Sequence, residues 1–240
     1  MTPYALASHV FVCLQDEHVV FLDVRNDRYF ALEAAKTRGL EAVVRGWPVR
    51  AENSRASLRE LSDSGVLEVL AERGLLTKGM CEGKDATPIQ CAPPVEEVQA
   101  DDTAEMHSIG LLHILRFLRA AIAASLSLKY LPFERVIRQA QWRRTHALAR
   151  FGAQPLDVER ARTLVAIFSW LRPFFFTSRD ACLFEALALG RFLASYGIYP
   201  QWVFGVQARP FTAHCWLQHE GVVLNDTVEH VSRYSPIMLV

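Results

Sequence analysis

The sequence predicts an α+β protein of two unlike units, and three observations carry that expectation. Short β-branched and aromatic runs open the chain, helical patterns fill its middle, and strand-like runs close it. With 240 residues and 51% hydrophobic composition, the chain can bury one large core or two modest ones. Near Thr77 the composition shifts to TKGMCEGKDATPIQCAPPVEEVQADDTAEM, which has prolines, small residues and an acidic end with little apolar periodicity. Such a stretch reads as a linker. The expected units are therefore residues 1–76 and 107–240, with 77–106 between them.

In the first unit, HVFVCL, VVFLDV and RYFAL are separated by polar QDEH and turn-prone RND, the pattern of a three-stranded antiparallel meander. Helical patterns follow over Glu33–Val44, over Ser54–Leu61 behind the cap candidate Asn53, and over Val66–Arg73, with Gly74 placed to end the last. A β3α3 unit of this size has winged-helix proportions. DNA binding fits it poorly, because Arg55, Arg59 and Arg73 share the helices with Glu60, Asp63, Glu68 and Glu72. The 26 basic and 26 acidic side chains of the whole chain cancel, so no net field draws it to nucleic acid or to an anionic membrane.

The second unit starts with helices. The first covers Ile109–Tyr130 and is interrupted by Pro132. A helix over Phe133–Phe151 carries Arg135, Arg138, Arg143, Arg144 and Arg150, which reads as a solvated face in preference to an anion or peptide-acid site. A third covers Leu156–Leu171. The apolar stretch Ile109–Leu128 contains His113, Arg116 and Arg119, so its longest uncharged piece is Ala120–Leu128, short of the ~20 residues of a membrane span. No basic-then-apolar export signal opens the sequence. Five cysteines without a CxxC pair argue against a secreted disulfide framework, and the expected compartment is the cytoplasm.

In SRDACLFEALALG, Cys182 opens an apolar helix behind the cap candidates Ser178 and Asp180. A helix N-terminus favours a thiolate by ~0.3–1 kcal/mol in ordinary settings, up to ~2 when sheltered, or about one pKa unit. A reactive thiol therefore needs an imidazolium partner steadied by a third group. His214 in TAHCW and Asp226 in VVLND supply candidates on the closing strands, QWVFGVQ, FTAHCWLQ and VVLND. Strand alternation puts His214, Trp216 and Gln218 on one face, and a hairpin at Glu220-Gly221 brings Asp226 beside His214. Cys215 faces the other way and reads as core. By spacing alone, a buried Cys182 with a structural, hydrogen-bonded His214 explains these residues equally well.

The last 65 or so residues resemble the leader peptidases of lasso-peptide biosynthesis, the B proteins, a bacterial branch of the transglutaminase-like (papain-like) cysteine peptidases. The resemblance rests on Cys182-Leu183 opening the helix, Gly205-Val206 in a strand, Phe211 to Trp216 with Ala213-His214 inside, and Asp226. It departs at Glu185-Ala186, where relatives carry a serine after the Cys-Leu pair, and at Cys215, a position often filled by alanine. The first unit, through DRYFAL and its helices, independently resembles the recognition element of ribosomal peptide maturation.

These resemblances imply a Cys182-His214-Asp226 peptidase that cuts a ribosomal lasso precursor at the leader-core junction and frees the core amine for an ATP-dependent cyclase partner. They imply that the leader adds as a strand along Asp27, Arg28, Tyr29, Phe30, Ala31 and Leu32, against a helix carrying Val66, Leu67, Leu70 and Arg73. No cofactor is required for the triad chemistry, and ATP dependence is not legible. His219, His230, Cys81 and Cys91 lack metal-ligand spacing, so no metal is expected. Neither nucleic-acid binding nor membrane insertion is expected. The alternatives are a transglutaminase-like acyl transferase and a non-enzymatic peptide-binding scaffold.

Overall fold

The computed structural model describes residues 4–48, 65–79, 83–98, 109–174 and 182–240. The chain forms two compact units. One contains residues 1–90 with 206–212 and 235–238, and the other contains residues 91–205 with 213–234 and 239–240.

The first unit holds the expected meander. Strands β2 (Val10–Gln15), β3 (His18–Asp23) and β4 (Arg28–Glu33) pair antiparallel in the order β2-β3-β4. Asp23 builds the β3–β4 turn, for its Oδ1 accepts the N–H groups of Arg25 (3.0 Å) and Asn26 (3.1 Å). A strand not anticipated, β1 (Tyr4–Ala7), pairs with β5 (Leu76–Lys78) and β6 (Gly83–Lys84). The helix expected over Glu33–Val44 is replaced by two 3₁₀ turns, Ala34–Thr37 and Leu40–Ala42. Gly39, at φ 87°, stands between them in a left-handed conformation that ends any helix. Helix α1 (Val66–Glu72) ends as expected, with Gly74 at φ 68°. The helix expected over Ser54–Leu61, with its cap Asn53, lies outside the described residues, as does Cys81. Phe21, Leu40, Trp47 and Leu70 centre the core of this unit.

The stretch read as a linker contributes β6, part of β5, and β7 (Glu96–Glu97). Two-residue ladders bond through the backbone and are too short to show a periodicity, which is why composition did not reveal them.

The second unit opens with α2 (Leu111–Tyr130), α3 (Phe133–Phe151) and α4 (Val158–Leu171), close to the expected spans. Asp157 caps α4 by accepting the N–H of Arg160 at 3.1 Å. By length and composition α2 is the one described helix able to cross a membrane. Here it buries Phe117, Ala120, Ala121 and Ala124, and its His113 Nδ1 meets the Tyr196 hydroxyl at 2.6 Å. Helix α5 (Cys182–Ala194) follows, and Gly197 at φ 84° closes the turn after it. Strands β8 (Gln201–Gln207), β9 (Thr212–His219), β10 (Val222–Val223) and β11 (Ser235–Leu239) form a sheet with β7, in the order β11-β8-β9-β10-β7. A one-turn helix, α6 (Val228–Val231), and β11 were not anticipated.

Candidate active site

Helix α5 is described from Cys182 onward and buries Ala186, Ala188, Leu189, Phe192 and Leu193. The apolar sequence that makes this a core helix also fixes the position of its first residue. Cys182 stays partly accessible, as do Leu183, Phe184 and Glu185 of its turn, while the helix beyond them is mostly buried. Ser178 and Asp180, the expected caps, lie outside the described residues.

Strand β9 presents His214, Trp216 and Gln218 on one face, as alternation requires. The His214 and Trp216 rings stack at 6.1 Å, and the indole N–H of Trp216 donates to Gln218 Oε1 at 3.0 Å. Gln218 in turn donates to the Ala92 carbonyl at 2.7 Å, tying the former linker to the sheet. The Trp216 ring reaches across Gly205 of β8, where a Cβ would come within 2.8 Å of both Trp216 and Tyr234. Tyr234 also lies against His214, with ring centroids 5.3 Å apart. Gly205→Ala is therefore expected to destabilise by about 1–3 kcal/mol through overpacking. It should also slow turnover by displacing the rings that seat the imidazole. Paired thermal melts and rate measurements check both effects.

The β9–β10 hairpin turns at Glu220-Gly221, with Glu220 at φ 53° and Val223 opposite Gln218. The strand expected over VVLND stops at Val223. Asn225 departs from the ladder because its side-chain oxygen, not a backbone carbonyl, accepts the Leu217 N–H at 2.7 Å. Asp226 then sits in the turn before α6, where its Oδ2 lies 2.5 Å from His214 Nε2. With Nε2 so engaged, Nδ1 is the ring atom left for sulfur, and interaction with His214 is among the causes that lower the Cys182 thiol. The structure thus brings Cys182, His214 and Asp226 into one electrostatically coupled group, with His214 and Asp226 joined by a hydrogen bond.

The electrostatics follow from these contacts. Hydrogen bonds from Cys215 and His214 hold the Cys182 thiol down at about 4, against burial, with help from the imidazolium charge and the Cys215 backbone N–H. Burial alone would lower His214, but its bonds to Asp226 and Cys182 outweigh this and lift it to about 9. Burial likewise favours a neutral Asp226, yet bonds from His214, the Thr227 N–H and His230 keep its carboxyl below the ordinary value. Between about pH 4 and pH 9 the dominant species is a thiolate–imidazolium pair.

Two residues of this site were assigned no part in it from sequence. Cys215 is buried, as expected of core, but it also interacts with Cys182. The Cys215 backbone N–H also lowers the Cys182 thiol, so groups from both faces of β9 and from its backbone act on it. Strand alternation, which suggested that Cys215 was remote, does not apply to a group at the strand's own backbone. Contact with Cys182 and burial hold the Cys215 thiol protonated, so it donates to the thiolate. Cys215→Ala is expected to raise the midpoint of Cys182 alkylation by about one pH unit or more. Iodoacetamide rates measured from pH 3 to 9 read this directly.

His230 is the second. Its Nδ1 lies 2.9 and 3.0 Å from the two oxygens of Asp226, on the one-turn helix that Thr227 caps through the His230 N–H at 3.2 Å. The spacing Asp226–His230, four residues around a capped turn, was the available signal. His214, Asp226 and His230 place one ligand atom each within 4.8 Å of one another, a spacing a divalent metal can use. A metal there would take His214 and Asp226 out of the chain to Cys182.

The residues expected to bind a leader lie in the first unit. Asp27 occupies the turn before β4, at φ 51°. Arg28, Tyr29, Phe30, Ala31 and Leu32 are on β4, the edge strand of its sheet. Val66 and Leu67 pack partly buried on the core, and Arg73, the residue capping α1, lies over the Phe30 ring at 5.1 Å. Leu70 is 1% exposed and presents no surface to a ligand. The Tyr29 ring meets Phe211 at 5.5 Å.

Comparison with known proteins agrees with this geometry. Residues 119–239 match the family model described as "Transglutaminase-like superfamily", whose members are usually enzymes working through a Cys-His-Asp triad. No curated protein and no solved structure matches the chain. The matched span contains helix α5 with Cys182, strand β9 with His214, and the turn holding Asp226. Helix, hairpin and turn, with the family match that spans them, establish that this chain belongs to the transglutaminase-like superfamily.

Proposed function

We propose that the chain is a cysteine peptidase that removes the leader from a ribosomal lasso-peptide precursor. The observation that carries the peptidase reading is the convergence of Cys182, His214 and Asp226, with His214 bonded to Asp226 and electrostatically coupled to Cys182. Supporting the lasso assignment are the motif residues Cys182-Leu183, Gly205-Val206, Ala213-His214 and Asp226, together with β4, an edge strand of its sheet among the described residues, where strand addition is one mode of peptide binding. A winged-helix-like recognition unit and a cytoplasmic location belong to the same reading, as do a cyclase partner and a triad that needs no cofactor.

In this mechanism the Cys182 thiolate attacks the carbonyl carbon at the leader-core junction, and the backbone N–H of Cys182 donates to the oxyanion that forms. The C–N bond breaks as the His214 imidazolium gives its proton to the departing core amine. His214, now neutral, takes a proton from water as that water attacks the thioester carbonyl. The leader leaves with a carboxyl terminus, and the thiolate–imidazolium pair is restored. Asp226 holds the ring with Nε2–H toward itself and Nδ1 toward sulfur, and His230 holds Asp226.

The test is incubation with a candidate lasso precursor peptide, read by intact mass spectrometry. Two fragments that together exceed the precursor by one water support the proposal. A precursor mass shifted by loss of ammonia, or by an added amine, would assign acyl transfer instead. An unchanged mass would leave peptide binding as the function.

A further inference from the structure

Arg143, Arg144 and Arg150 of α3 read from sequence as a solvated face. The structure sets them around a cavity of about 690 Å³ in the second unit, which Arg116 and Arg119 of α2 and Arg191 of α5 also line. The lining includes no Asp or Glu side chain. Small residues between the arginines, among them Ala120, Ala147 and Gly190, leave the space open.

Among the described residues, no carboxylate forms an ion pair with any of the six. Their partners are neutral. Arg191 donates to Ser127 Oγ at 2.8 Å, Arg116 lies 4.2 Å from the Tyr196 ring centroid, and Arg150 lies 5.3 Å from that of Phe151. Such contacts orient the guanidiniums without cancelling their charge. The Nε atoms of Arg144 and Arg191 are buried and have no hydrogen-bond partner. Burial and the charge of Arg143 hold Arg191 down at about 10, a sign that the positive charges are crowded.

Buried donors without acceptors and clustered like charges are both unfavourable, and a single kind of occupant relieves both. We propose that this cavity binds a small, multiply charged oxyanion of oligophosphate chemistry. The guanidinium fork matches paired phosphate oxygens, and successive phosphate groups concentrate the charge needed to meet six arginines in a space of ligand size. Nucleic acid is disfavoured because the arginines ring a cavity instead of tracking a backbone, and the chain carries no net positive charge.

Titration of the full chain with sodium tripolyphosphate at fixed ionic strength, followed by calorimetry and by thermal melting, tests the assignment. Saturable one-site binding with a raised Tm is expected. Arg119→Gln and Arg143→Gln, both at exposed positions where folding tolerates substitution, should each weaken binding by about tenfold. Absence of saturable binding, or unchanged affinity in both variants, would overturn the proposal. Citrate binding as tightly as tripolyphosphate would overturn the phosphate assignment, and a short RNA duplex binding more tightly than either would overturn the small-ligand assignment.

Discussion

Cys182→Ala is expected to lower peptide-bond cleavage by roughly 10⁴-fold or more, to the level that binding and oxyanion donors supply without a nucleophile. No other described side chain can replace it. Cys215 is the nearest thiol, but burial and the neighbouring thiolate keep it protonated, and a protonated thiol is a poor nucleophile. The substitution removes one sulfur from a half-buried position, so the fold should survive. Circular dichroism and a thermal melt within a few degrees of the wild type check this. Intact mass spectrometry of precursor incubated with the variant checks the activity. Cleavage at the wild-type rate by a folded Cys182→Ala protein would refute Cys182 as the nucleophile.

Asp226→Asn is expected to cost roughly 10³–10⁴-fold in rate, for reasons of both charge and tautomer. The carboxylate can only accept, so it fixes the Nε2–H on its own side, whereas an amide can also donate and turn the ring over. Its negative charge is also part of what keeps the proton on His214 up to about pH 9. In the wild type the rate should follow a bell. On the acid side activity falls as Cys182 takes up a proton near pH 4. On the basic side it falls as His214 loses the proton that the leaving amine needs, near pH 9. In the asparagine variant the basic limb should move toward the ordinary histidine value, because burial, which favours the neutral ring, is then less opposed. A pH–rate profile with an unmoved basic limb would show that Asp226 does not set the protonation of His214.

The part played by Cys215 follows from the same electrostatics. A thiolate at a helix start gains about one pKa unit from the dipole, yet Cys182 is held near 4. The remainder comes from direct donors: the Cys215 thiol, the His214 ring and the 215 backbone N–H. Of these, the ring was foreseeable from the sequence as a partner type, while the second thiol was set aside as core.

Local pattern was sufficient for much of this protein. Alternation over HVFVCL, VVFLDV and RYFAL gave the meander, the run behind Pro132 gave α3, and QWVFGVQ gave β8 to the residue. Cys182, His214 and Asp226 were legible as types suited to one chemistry, because a turn of known register separates the last two and a helix start marks the first. The glycine at 39 was visible as well, but its effect on the Glu33–Val44 pattern depended on a left-handed φ that only the folded chain selects.

Other features required the folded chain. The two-residue strands β6, β7 and β10 exist because long-range partners supply their hydrogen bonds, and no local period can announce them. Tertiary packing brought Cys215 close enough to act on Cys182, and the neighbouring of β8 and β9 laid Trp216 over Gly205. A charged stripe on one helix says nothing of what faces it, so the arginine cavity emerged only when α2, α3 and α5 came together. Sequence determines which groups the chain has and which face of its own element each occupies. Which groups from separate elements share a dielectric environment, and hence their protonation, is set by packing alone.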